Sequence, residues 1–221
     1  MEFWLYLFEK RGLILLSALR HMEVSAIAVL LSVVIAIPLG ILVTRYRKIA
    51  HVVVNSANIG QTVPSLAILG LVIPILGIGL KPAVFALVLR GVLPIINNTY
   101  SGIINVDRSL IEAGRGIGMK DRQILTLVEL PLSFPVIMAG IRTATVLSIS
   151  IATLAALIGA GGLGDLIFQG IVMADRNLLL AGSIPTAILA IGTDMLLGVV
   201  ERRLGKGPTH RGLQEKKEGI Q

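Results

Sequence analysis

The sequence contains no cysteine. That excludes disulfides, thiolate metal sites and cysteine nucleophiles. Its three histidines, His21, His51 and His210, lie far apart without ligand spacing, so no metal site is expected. Charge is scarce. Only 15% of the 221 residues are Asp, Glu, Lys or Arg, against about 25% in an ordinary soluble domain. Aromatics make up 4%, and four of them, Phe3, Trp4, Tyr6 and Phe8, crowd the N-terminus. A phosphate-binding loop of the form Gly-x-x-x-x-Gly-Lys-[Ser/Thr] is also missing. The one glycine-rich run, Gly159 to Gly164, lacks the Lys and leads into Asp165.

What is present is apolar. Ala, Val, Ile, Leu, Met, Phe, Trp and Tyr supply 54% of the chain, and 24 glycines add to that. A water-soluble globule of this composition could not cover its surface with polar groups, which makes a bilayer protein the leading class. The length allows five or six spans of about 20 residues each. The formal charge is +7. In a soluble chain that would point to nucleic acid. Here the basic residues cluster between apolar runs and read as a topology signal, so no nucleic-acid partner is expected.

Five spans emerge. The first is Val24 to Val43, uncharged and followed by Arg45-Tyr46-Arg47-Lys48. Residues before it mix aromatics with Glu9, Lys10 and Arg11, and read as an interfacial amphipathic helix. Making that segment cross would put three charges in the bilayer, at about 2.5–3.5 kcal/mol for each Lys or Arg. Ile59 to Leu80 is the second run, interrupted by Pro64 and Pro74. The third, Pro82 to Ile104, carries Arg90. The fourth, Leu130 to Ile158, opens with Pro131 and Pro135, and the fifth is Leu178 to Val200. The expectation is an all-α polytopic membrane bundle. An N-terminal interfacial helix covers 1–22, the transmembrane domain 23–200 and a polar basic tail 201–221. Of the 20 basic residues, 13 fall in the tail, after the first span and in the loop 105–129; five fall on the other side. This distribution puts the C-terminus and that loop in the cytoplasm, and the N-terminus outside.

Residues 105–129 carry further order. Asp107 suits the cap of a short helix from Arg108 to about Ala113. Gly114, Gly116 and Gly118 then interrupt it, a second helix runs from Lys120, and Pro131 opens the next span. A helix, bend and helix fixed at both ends to the membrane makes a rigid knob for another protein. Arg90, Arg142 and Asp194 fall at bilayer depth, where charges seek partners. Arg142 and Asp194 form a plausible pair between the fourth and fifth spans. Small residues in those spans permit close packing. Pro64, Pro74 and Pro94 imply kinks of the kind that line transport paths. Gly159, Gly161, Gly162 and Gly164 read as tight turning and close backbone packing.

Glu112-Ala113-Gly114, three residues, Gly118, nine residues, Val128-Glu129-Leu130-Pro131 resembles the EAA loop of ABC-importer permeases. Gly114 and Val128 depart from the family's Ala and Ile. The strings Gln61 to Ala67, Asn98 to Ile103, Met138 to Ala144 and Ile158 to Gly164 resemble the branch that carries osmoprotectants: glycine betaine, carnitine, choline and proline betaine. The resemblance spans roughly residues 25–200. It implies a type I (MetI-like) permease fold, and a coupling loop at 105–131 built on Glu112, Ala113, Gly114, Gly118, Leu130 and Pro131. It also implies partners: a second permease chain, identical or related, two cytoplasmic ATPase subunits, an extracytoplasmic substrate-binding protein and membrane lipid. ATP and Mg would sit on the ATPase, with no cofactor on this chain and no catalysis by it. Few aromatics suit weak handling of a quaternary amine, so the tight cation site belongs on the binding protein. Two alternatives remain open at this point: a permease for methionine or another amino acid, and a non-transporting membrane assembly subunit.

Overall fold

The computed structural model describes residues 2–204. Among them every regular element is helical. Helix α1 covers Glu2–Glu9 and α2 covers Arg11–Arg45. Helices α3 (Arg47–Thr62) and α4 (Ser65–Leu76) follow, then α5 (Leu80–Ile104). Two short helices, α6 (Arg108–Gly116) and α7 (Asp121–Ile124), lead through a π-helical turn, Leu125–Glu129, into α8 (Leu130–Ala155). Helices α9 (Leu163–Val172) and α10 (Arg176–Leu204) end the described chain. Four stretches are long and apolar enough to cross a membrane: α2, α5, α7 through α8, and α10. A fifth forms when α3 and α4, bent by 99° at their junction, count as one span.

The packing runs opposite to a soluble bundle. Along α2 the buried positions are small: Ser25, Ala28, Ser32, Ala36 and Gly40. The large ones, such as Leu30 and Val34, are about two-thirds exposed, where lipid solvates them. Small inward faces let backbones approach. A Cβ on Gly40 would come within 2.7 Å of the Thr99 Cβ of α5, and one on Gly140 of α8 within 2.6 Å of the Asn98 Cβ. Helix α5 thereby sits at the centre, packed along both α2 and α8. A core of Val24, Ala28, Leu69, Ala83, Leu87 and Ala152 joins α2, α4, α5 and α8.

Four boundaries differ from the sequence expectation. No helix break falls at residue 22; the break is at Lys10, and α2 continues straight into the first span. At 35 residues it is about 52 Å long, well beyond the ~30 Å hydrocarbon core. Helix α6 does not stop at Ala113 but runs on to Gly116, because Gly114 and Gly116 tolerate helical backbone. The fourth span does not begin afresh at Pro131. Helix continues from Asp121 through the π turn, which widens the ladder where Pro131 offers no N–H to Leu127. Helix α10 passes residue 200 and carries Glu201, Arg202 and Arg203, so the tail does not start at 201. Its remainder, 205–221, lies outside the described residues.

Candidate functional site

The loop between α5 and α8 forms a compact element at one end of the bundle. Asp107 caps α6: its carboxylate accepts from the Ser109 N–H at 2.9 Å. That bond holds the Asp107 carboxyl below its ordinary value. At the other end Gly118 adopts φ +83°. The Met119 N–H donates to the Gly114 carbonyl at 3.0 Å and the Gly118 N–H to that of Arg115 at 3.0 Å. This is a Schellman stop, which requires the left-handed residue that glycine supplies most cheaply. Helix α7 then starts with the Gln123 side chain accepting from the Lys120 N–H at 2.8 Å.

These turns fix what the loop presents. Glu112 and Ala113 are exposed on α6, and Gly118 is exposed at the bend. Ile117 is 82% exposed beside them. Gly114 instead faces inward, where a Cβ would meet Met119 Sδ at 3.2 Å and Ile124 Cγ1 at 3.6 Å. It closes α6 against α7. Leu130 is half-buried and Pro131 exposed at the start of α8. Thus the six expected coupling residues split into an outward edge and an inward hinge.

Arg90, Arg142 and Asp194, expected at bilayer depth, are not one cluster. Arg142 of α8 and Asp194 of α10 form a two-pronged pair, Nε to Oδ1 and Nη2 to Oδ2. Glu201, two turns further along α10, stands 3.7 Å from Arg142 Nη1. Glu201 falls in the expected tail, yet its seven-residue spacing from Asp194 puts both on one face of α10. The pair lines a cavity of about 400 Å³ with Thr143 and Val146.

Arg90 works elsewhere. Its Nη1 donates to the carbonyls of Gly60 (3.3 Å), Gln61 (2.9 Å) and Val63 (3.2 Å). Pro64 has no N–H to give Gly60, and the bend leaves Gln61 without its own donor. A broken helix leaves carbonyls that need a donor, and Arg90 supplies it.

The glycine run turns the chain at the end opposite the loop. Gly159, Gly161 and Gly162 all have positive φ, whereas Gly164 is helical within α9. The Gly79 N–H donates to the Ile158 carbonyl at 2.7 Å, so the α4–α5 and α8–α9 turns abut.

One pair was not visible in the sequence. Arg45, at the end of α2, donates through two nitrogens to both carboxylate oxygens of Glu129, in the π turn. Glu129 is 5% exposed. Among the described residues, no three His, Asp or Glu side chains converge to hold a metal.

Helices long and apolar enough to cross a bilayer, small inward faces and an ordered loop at one end are the build of a helical membrane protein. The chain belongs to the family described as binding-protein-dependent transport system inner membrane component, whose pattern matches residues 36–206. Among relatives it is 49% identical to the choline transport system permease protein OpuBB of Bacillus subtilis (strain 168), with 94% of each chain covered. It is 47% identical to the carnitine transport permease protein OpuCB of Listeria monocytogenes, with 93% of each covered. Its fold is that of an inward-facing MetNI methionine ABC transporter chain, at TM-score 0.78 and 21% identity over 89% of this chain and 98% of that one. A chain of an amino acid ABC transporter matches at TM-score 0.73 and 17% identity, over 90% of this chain and 97% of that one.

Proposed function

We propose that this chain is the permease subunit of an ABC importer that passes quaternary-ammonium osmoprotectants, such as choline, carnitine, glycine betaine and proline betaine, into the cell. The observation that carries the reading is the likeness to the choline permease along 94% of both chains. Two such permeases, identical or related, enclose the path. Each offers its 105–131 loop to one of two ATPase subunits in the cytoplasm. Those subunits bind ATP and Mg and hydrolyse the nucleotide; this chain performs no catalysis and holds no cofactor. A separate extracytoplasmic protein supplies the substrate.

In this reading the loop works by shape. The Schellman stop at Gly118 and the cap at Asp107 hold α6 as a rigid knob, so that a push from the ATPase reaches α8 instead of being lost in the loop. Glu112 is the polar contact on its outward edge. The transmembrane domain moves with that knob, and the abutting glycine turns at 77–79 and 159–162 form the external gate. The bias of basic residues supports a cytoplasmic loop and C-terminus with an external N-terminus.

The test is complementation. A bacterial strain stripped of its own osmoprotectant uptake receives this permease with its ATPase and binding protein. Growth in high salt should recover when choline, carnitine or a betaine is supplied. Recovery with none of these amines, under matched expression, contradicts the substrate class.

A further inference from the structure

We propose that Arg45 and Glu129 are a positioning pair that ties the loop to the first span, so that motion of α6 is delivered to α2 as well as α8. The inference rests on the importer reading and adds a second output to it.

Glu129 is the residue that joins the loop to α8. It ends the π turn, and α6 packs directly against that turn. A π turn is a rare, wide register that recurs at functional sites. The Glu129 carboxylate is buried, and both its oxygens are held by one guanidinium. Burying a carboxylate is costly, and such pairs set register better than they add stability. The guanidinium comes from the last residue of α2, 84 positions away in sequence. Helix α2 in turn packs along α5 and α8. A planar fork gripping both oxygens resists rotation as well as separation. The pair therefore clamps the π turn between knob and span, and shares its displacement with a second span.

Room for movement exists beside it. A cavity of about 460 Å³ lies against the pair, lined also by Thr44, His51, Tyr100 and Arg108. Arg45 lines that space and keeps 42% of its side chain exposed.

The assembled transporter, reconstituted with its ATPase and binding protein, tests the pair. ATP hydrolysis and uptake of a labelled quaternary amine are measured in the same vesicles. Arg45→Met/Glu129→Met keeps volume and leaves no lone buried charge. Uptake per ATP should fall about tenfold while hydrolysis persists. The exchange Arg45→Glu/Glu129→Arg should restore the ratio to within about twofold of wild type. A Met/Met protein as well coupled as wild type overturns the proposal, and so does an exchange that stays as poor as Met/Met. Loss of assembly in both variants also overturns it, because the pair would then hold the fold and not the coupling. Wild-type vesicles that neither hydrolyse ATP nor import bear on the importer reading alone.

Discussion

Arg90 illustrates why a charge is tolerated within a helix apolar enough to span a membrane. Its guanidinium serves three carbonyls at once around the Val63–Pro64 break. Arg90→Leu removes that donor and should cost about 1–3 kcal/mol. Arg90→Lys should recover part of the loss, because an ammonium also donates to several carbonyls. Thermal unfolding of the purified complex checks the order wild type, Lys, Leu. Arg142 and Asp194 obey a different logic: each neutralises the other between α8 and α10. Asp194→Asn and Arg142→Gln should each lower the thermal midpoint, and Arg142→Asp/Asp194→Arg should raise it again. Residues of this kind were partly legible. Charges at bilayer depth must find partners, which pointed Arg142 toward Asp194. The same rule could not tell that Arg90 seeks carbonyls instead of a carboxylate, because the need arises from a bend. Arg45 and Glu129 were illegible for another reason: each has an adequate local reading, as a stop signal and as a loop residue.

At the scale of elements, the loop is set by chemistry adjacent in sequence. Asp107, Ser109, Gly118 and Met119 make their bonds within five residues, so the helix, bend and helix were readable. The length of α6 was not, because glycine only permits a stop and the Schellman pairing chooses Gly118 over Gly114 and Gly116. Gly118→Val should impair transport more than Gly118→Ala, since a β-branched residue tolerates φ +83° least. Gly114→Ala should have little effect: the added methyl meets the end of a flexible Met119 side chain. Uptake by the reconstituted complex checks both. The cap has a pH signature as well. The Ser109 N–H favours the ionised Asp107, so its support of α6 is complete above about pH 4, its unfolded value. That support is lost only as pH falls further, through the lowered folded value. Transport between pH 5 and 8 should therefore show no inflection from Asp107.

For the whole molecule, composition foretold the class, and charge placement supports an orientation that labelling can check. The absence of cysteine now becomes useful, since any introduced thiol is unique. A Cys at Ile117, exposed on the loop, should react with an impermeant maleimide only once the membrane is opened. A Cys at Met173, exposed beyond α9, should react in intact cells. Reversed labelling contradicts the orientation. The span count was legible within one, but the 99° bend between α3 and α4 was not. Pro64 announces a break without giving its angle, which depends on α5 and Arg90. ATP-driven import of a quaternary amine through this chain is measured as labelled choline or carnitine uptake into vesicles holding the complete complex. Accumulation should require ATP and the binding protein, and should be lost when Glu112 and Gly118 are changed together. Uptake that proceeds without ATP, or that survives those two changes intact, would contradict it.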